Sequence, residues 1–209
     1  MRVSVCIVPY RNNKRFLHIL SQVKKATGIG FEIIIIDNNP RNDLKKLVGD
    51  VKYFHNANKG KLAGACNKAA QMATGKFFVY VCSNHARVYS NDWLSYMVME
   101  MEKYKLPNGK LKFTIGGDLR PFGSTNHVQG GVFIVQTAWL RKNPYDEVKA
   151  PFMFMDVHIS KKVIQTKGKI LRLSGVYSGM KGWSRKNHID NSGRKKFKIV
   201  HSHETYNYG

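Results

Sequence analysis

A chain of 209 residues with 43% apolar and 11% aromatic content has the length and composition of one folded domain, not of a disordered segment. Its charge is one-sided, since 35 Lys and Arg against 13 Asp and Glu give a formal net charge of +22. Such a surface favours anionic partners (nucleic acid, lipid headgroups or phosphorylated small molecules) without choosing among them.

Cys6, Cys66 and Cys82 sit in apolar or small-residue runs. Their spacing is not that of a zinc site, and an odd number argues against a disulfide framework, so a reducing compartment is expected. No run approaches the roughly 18 apolar residues of a membrane span. Arg2 leads directly into a strand-like run instead of a signal peptide. The expected location is cytoplasmic, with a charge that also suits the periphery of an anionic membrane.

In chain order, "VSVCIVP" (3–9) is a β-branched run that predicts a strand covered on both faces. After the polar break "YRNNKR", Phe16, Leu17, Ile19, Leu20 and Val23 recur at helical spacing. "FEIIIID" (31–37) predicts a second buried strand, followed by a short helix over about 41–48 and a strand at "VKYF" (51–54). "NKGKLAGACNKAAQMATG" (58–75) predicts an Ala-rich helix with Asn58 as N-cap and Gly75 as stop. "KFFVYVC" (76–82) is the next strand, and it breaks into Ser83-Asn84-His85.

The second half begins with an amphipathic helix, "DWLSYMVMEMEKY" (92–104), and a turn at "LPNGK". "KFTIGGDLRPFG" and "HVQGGVFIVQ" read as strands edged by Gly-rich loops. "FMFMDVHISKKVIQTKG" (152–168) reads as a helix stopped by Gly168, and "KILRL" as a strand. The basic tail beyond has the Gly and Ser content of a segment able to act as a lid over roughly 175–198.

Strands alternating with helices predict a mainly parallel sheet flanked by helices, an α/β fold. Ligands bind such sheets outside the carboxyl ends of the strands. That rule gathers Pro9-Tyr10-Arg11, Asp37-Asn38 and Ser83-Asn84-His85 into one neighbourhood. Asp37 ends its strand either as an acceptor for a nucleobase N–H or as the start of an Asx turn with Asn38-Asn39-Pro40. Asn58-Lys59-Gly60-Lys61 opens a helix whose free N–H groups and dipole favour a diphosphate, although a solvated helix start reads equally well.

The ordered set "VSVCIVPYRN", "FEIIIIDNNP", "NKGKLAGACNKAAQMATGKFFVYVCSN" and "FMFMDVHISKKVIQTKGKILRL" resembles the nucleotide-sugar glycosyltransferases of the GT-A fold, and is most similar to family 2. The likeness is good over residues 3–90 and looser over 127–173. It departs at the metal motif, where the family's Asp-x-Asp is replaced by Cys82-Ser83-Asn84 or Ser83-Asn84-His85. The second registration resembles an Asp-x-His variant found among retaining enzymes, so stereochemistry and metal use are both left open.

The resemblance implies a single GT-A domain over 1–209, with a nucleotide-sugar-binding half at 1–90 and an acceptor half with the basic tail at 91–209. It implies transfer of a sugar from a nucleoside diphosphate donor, UDP-linked by expectation, to a hydroxyl on a glycan or glycoprotein. Tyr10 is implied to stack on the base and Arg11 to contact phosphate or base; Pro9, Asn38, Asn67, Ser83 and Asn84 complete the donor site. Asp156 is implied as the general base that takes the acceptor proton, with Asp118 as its competitor.

Gln129, Gly130 and Gly131 let a sugar approach the backbone or form a tight turn. Trp183 is an acceptor platform or a core residue. A divalent cation, Mn²⁺ or Mg²⁺, is expected to meet His85 with His201 or His203. Two rivals remain: a GT-like domain that only binds nucleotide sugars or glycans, and a basic nucleic-acid-binding protein. The second is disfavoured, because the aromatics fall inside strands and no nucleic-acid motif appears.

Overall fold

The computed structural model describes residues 3–10, 13–41, 44–83, 86–87, 90–122, 125–150, 155–173 and 177–178. Arg11, Asn84, His85, Trp183, His201, His203 and the expected lid apart from residues 177–178 lie outside the described residues.

The first half follows the predicted alternation. β1 (Val3–Ile7), α1 (Asn13–Lys24), β2 (Phe31–Asp37), α2 (Lys45–Val48), β3 (Lys52–His55), α3 (Lys61–Met72) and β4 (Phe77–Val81) come in that order. The second half supplies β5 (Ala86–Arg87), α4 (Trp93–Lys103), β6 (Ile115–Phe122), β7 (Thr125–Gln136), α5 (Thr137–Lys142), α6 (Met155–Gln165), β8 (Ile170–Arg172) and β9 (Tyr177–Ser178). Seven strands form one sheet in the order β3-β2-β1-β4-β7-β6-β8, and β5 pairs with β9 beside it. Within the seven, β7 alone runs antiparallel to its neighbours.

Period-two burial of the strands divides the core. Val3, Val5 and Ile7 face a layer made by α1, α2 and α4, where Phe16, Leu20, Val48, Trp93 and Met97 are buried. Cys6, Val8, Ile34 and Ile36 face the layer of α3, α5 and α6. There the small side chains Ala63, Cys66, Ala69 and Ala70 let α3 lie close to the strands. Each fully buried Ile, Val or Phe contributes about 1.5–3 kcal/mol, enough for the long β-branched runs to fix which residues become strands. The chain moves outward from β1 to β3, then α3 carries it back across to β4, so the topological switch lies between β1 and β4. That is where this architecture binds ligands.

Several local expectations need correction. Asn58 is not the N-cap of α3; the cap position is Gly60, in the left-handed region at φ 62°, and no side chain caps the helix. α3 ends at Met72, with Ala73 as its C-cap, before Gly75. Gly116-Gly117 and Gly130-Gly131 lie inside β6 and β7 instead of in edging loops, with a bulge between Gly117 and Leu119. The reason is crowding: a Cβ on Gly117 would meet the side chains of Phe133 and Val128 at 3.1 and 3.2 Å. α6 ends at Gln165; just beyond it Lys167 takes φ 58°, and the N–H groups of Lys167 and Gly168 return to the carbonyls of Ile164 and Val163. This pair of bonds is the Schellman arrangement, with Lys where Gly is usual.

Candidate active site

The carboxyl ends of β1, β2 and β4 are joined by hydrogen bonds. The N–H of Asn38 donates to the Pro9 carbonyl at 3.1 Å, and the Ser83 hydroxyl donates to the Val8 carbonyl at 2.8 Å. Asp37 is 0% exposed. One of its oxygens accepts the Asn39 N–H at 2.9 Å, which closes an Asx turn, and the other accepts the Tyr53 hydroxyl at 2.6 Å. Those contacts use half of the carboxylate's acceptor capacity. A nucleobase N–H would have to use the remaining lone pairs.

An asparagine pair carries the next loop. Asn56 Nδ2 donates to Asn38 Oδ1 at 2.7 Å and to the Lys59 carbonyl at 2.6 Å, while Asn38 Nδ2 donates to the Lys61 carbonyl at 3.0 Å. These bonds hold a chain segment in which Ala57, Asn58 and Lys61 have φ of 46°, 60° and 56°. For non-glycine residues that region costs about 1 kcal/mol or more each, and such strain concentrates at ligand sites. Asn58 Oδ1 is buried with no hydrogen-bond partner. The result is a strained, amide-braced loop that sets exposed Lys59 and Lys61 at the N-terminus of α3. Asn56 and Tyr53 were not legible as site residues; the polar Asn56 directly after the strand "KYFH" was the available signal.

The third group is built around Asp156, in the first turn of α6. The Cys82 N–H donates to the Gly131 carbonyl at 2.8 Å, tying the end of β4 to β7. The next residue back, Gly130, donates its N–H to Asp156 Oδ2 at 2.9 Å. Asp156 Oδ1 accepts the Val157 N–H at 2.9 Å, and Ser160 Oγ links the helix to β7 by accepting the Val128 N–H at 3.1 Å and donating to the Asp156 carbonyl at 2.7 Å. His127 Nε2 stands 3.7 Å from Asp156 Oδ2. The Asp156 side chain keeps 22% of its surface exposed, so its unused lone pairs remain open to an approaching group. A fixed, partly exposed carboxylate beside the carboxyl end of β4 is an arrangement suited to taking a proton.

Comparison with known proteins decides the family. The description "Glycosyl transferase family 2" matches residues 4–151. The chain belongs to glycosyl transferase family 2. No curated protein matches it. Among solved structures it is similar to the mannosyltransferase PcManGT from Pyrobaculum calidifontis in complex with GDP-Man and Mn²⁺, with 15% identity, a TM-score of 0.65, and 82% of this chain and 54% of that one covered. It is also similar to S. aureus TarS 1–349 in complex with UDP-GlcNAc, with 15% identity, a TM-score of 0.56, and 77% and 53% covered. A third, CMP:2-keto-3-deoxy-manno-octonic acid synthetase complexed with CTP, is 8% identical with a TM-score of 0.56 and covers 86% and 92%. The likenesses establish the GT-A type fold, and this family 2 chain spans 54% of the mannosyltransferase and 33% of TarS.

Within this family 2 domain the expected residues distribute unevenly. Pro9, Asp37, Asn38, Lys59, Lys61, Ser83, Gly130, Gly131 and Asp156 lie on the hydrogen-bonded frame at the strand ends. Tyr10 follows β1 and Gln129 precedes Gly130 on β7, both half-buried. Asn67 serves a different purpose: its Nδ2 donates to the Tyr145 carbonyl and to Glu147 Oε1, and its Oδ1 accepts the Tyr145 N–H, which fastens the loop before α6 to α3. The Asp118 competitor sits on β6 at the bulge. Among the described residues no group of three His, Cys, Asp or Glu is placed to hold a metal. At the strand end Ser83 is 3% exposed and commits its proton to Val8, a neutral and poor donor set for a hard cation. The described residues therefore do not fit a metal site.

Gly130 tests the geometry directly. A Cβ there would meet Asp156 Oδ2 at 3.1 Å and its Cγ at 3.4 Å. Gly130→Ala is expected to leave the fold intact and to push the carboxylate aside by a few tenths of an ångström. Since a misplacement of about 1 Å can cost roughly 10²-fold, turnover should fall about three- to tenfold. Unchanged kcat alongside an unchanged melting temperature would show that the position of Asp156 does not matter.

Proposed function

We propose that the protein transfers a sugar from a nucleoside diphosphate sugar, UDP-linked, to a hydroxyl group of a glycan or glycoprotein. The observation that carries this reading is Asp156, held by the Gly130 and Val157 N–H groups near the carboxyl end of β4 with part of its surface exposed. As the acceptor oxygen attacks the anomeric carbon, its proton passes to Asp156 while the bond from the anomeric carbon to the diphosphate breaks. The electron pair leaves with the diphosphate. Lys59, Lys61 and the N-terminus of α3 supply positive charge where the leaving group gains negative charge. Tyr10 and Asp37 are proposed to hold the base, and Gln129 with Gly130 and Gly131 to line the sugar. The formal charge of +22 suits work in the cytoplasm beside an anionic membrane face.

A second reading has its own observation. The strand end Cys82-Ser83 carries no carboxylate where family 2 enzymes carry aspartates, which suits a domain that binds nucleotide sugars without turning them over. Thermal-shift measurements with nucleoside diphosphates and their sugars, followed by a search for glycosidic product, separate the two. Stabilisation by one nucleotide class with no product from any donor would favour the binder.

Asp37 offers a sharper check. A hydrogen bond to a charged group contributes about 1.5–3 kcal/mol, so Asp37→Asn should weaken UDP binding roughly ten- to a hundredfold by calorimetry. Unchanged affinity would remove Asp37 from the base site.

A further inference from the structure

The proton taken by Asp156 must leave it again, and beside the open face of the carboxylate the structure places a side chain that can take it. His127 lies on β7, three residues before Gly130, and is 8% exposed. Its Nε2 is directed at Oδ2 of Asp156, the oxygen that also holds the Gly130 N–H. At 3.7 Å the two are within ion-pair reach, and a hydrogen bond needs closure by less than about 1 Å. Both groups sit on rigid elements, since Ser160 pins α6 to β7 through the Val128 N–H, the residue next to His127.

We infer that His127 is a positioning residue for the general base: neutral, it accepts the proton that Asp156 takes from the acceptor hydroxyl. This inference rests on Asp156 being the base. The step balances: acceptor O–H loses its proton to the Asp156 carboxylate, that proton moves from Oδ2 to Nε2, and the imidazolium releases it to solvent. Asp156 is thereby returned to its ionised form for the next turnover. The exchange runs downhill because an ordinary imidazole binds a proton near pH 6.5 and an ordinary aspartate near pH 3.9. While His127 stays protonated, the ionised Asp156 can still take a proton but cannot pass it on, so the relay stalls until the imidazolium has released its own.

The pH dependence follows. Activity in the wild-type chain should fall through the histidine range, about pH 6.5, as pH drops. The other charged or titratable groups on α6 and on the elements packed against it are His158, Lys161 and Lys162 on α6 itself, Asp118 and Arg120 on β6, Arg172 on β8, and Tyr145 between α5 and α6. Burial pushes the Tyr145 hydroxyl well up, so it stays neutral. His158 is the one other histidine on these elements among the described residues, and serves as the control.

The test has two arms. In His127→Gln, kcat should drop about tenfold and the acid limb of the pH profile should move down by more than one pH unit, toward the carboxylate range, while His158→Gln leaves the limb in place. In the second arm, the His127 ring is titrated by NMR in the wild type and in Asp156→Asn, and its pKa should fall by about one unit when the carboxylate charge is removed. A merely structural histidine would move neither quantity. The same acid limb in wild type and His127→Gln, with both proteins folded by melting temperature, overturns the inference. An NMR pKa indifferent to Asp156→Asn overturns it without reference to activity, and so covers the case in which His127→Gln does not fold. Retained turnover in Asp156→Asn is a separate outcome, which sinks the general-base reading itself.

Discussion

Asp156→Asn is expected to lower turnover by about 10²–10⁴-fold while leaving nucleotide binding close to wild type. The amide is nearly isosteric, and its oxygen can keep one of the two N–H donors, Gly130 or Val157, that now hold the carboxylate. The helix loses a favourable N-terminal charge, worth about 0.3–1 kcal/mol, so the variant should fold. What it loses is the ability to accept a proton at neutral pH. Single-turnover assays with UDP-sugar donors, read beside calorimetry of UDP binding, separate the two effects. Near-normal turnover in Asp156→Asn together with its loss in Asp118→Asn would move the base to the β6 bulge.

The frame of this domain was legible because burial writes itself into β-branched runs. "VSVCIV", "FEIIII" and "FFVYV" are apolar at consecutive positions, as strands covered on both faces must be, and the polar residues after each run mark the ligand end. Asp37, Asn38 and Ser83 do meet at that end. The second half was harder, since β6 and β7 contain glycines at positions where a side chain would collide with a neighbour. From composition alone such a strand cannot be told from a loop. α5 was hidden because six residues, "TAWLRK", are too few to show a helical period. Asn67 lay in a motif with an expected donor role, yet its amide fastens a loop that is distant in sequence. His127 carried no local signal; its meaning comes from Asp156, twenty-nine positions on in the chain and 3.7 Å away in space.

Glu32→Gln should cost about 2 kcal/mol at neutral pH, and the cost should vanish in acid. Glu32 lies at the opposite end of the sheet from the candidate site, where β1 and β2 begin. It is 8% exposed. Its Oε1 accepts the Ser4 hydroxyl at 2.6 Å, the Thr74 hydroxyl at 2.7 Å and the Thr74 N–H at 2.6 Å, while Lys52 Nζ sits 2.6 Å from Oε2. Burial alone would raise the carboxyl's pKa, but Lys52, Ser4 and Thr74 together outweigh it and bring it down to about 2. The Lys52 side chain is 42% exposed, so solvent screens that pair and leaves it worth at most about 1 kcal/mol. The Ser4 and Thr74 donors carry the rest, because hydrogen bonds to a charged acceptor are worth about 1.5–3 kcal/mol. A carboxyl with its folded pKa below the ordinary 4.5 stabilises the protein fully above pH 4.5, and the contribution is lost as pH falls toward 2. Urea unfolding of wild type and Glu32→Gln at pH 7 and at pH 3 measures the difference. The gap between the two proteins should narrow on acidification; a gap that stays constant would mean that the stabilisation comes from shape and not from charge.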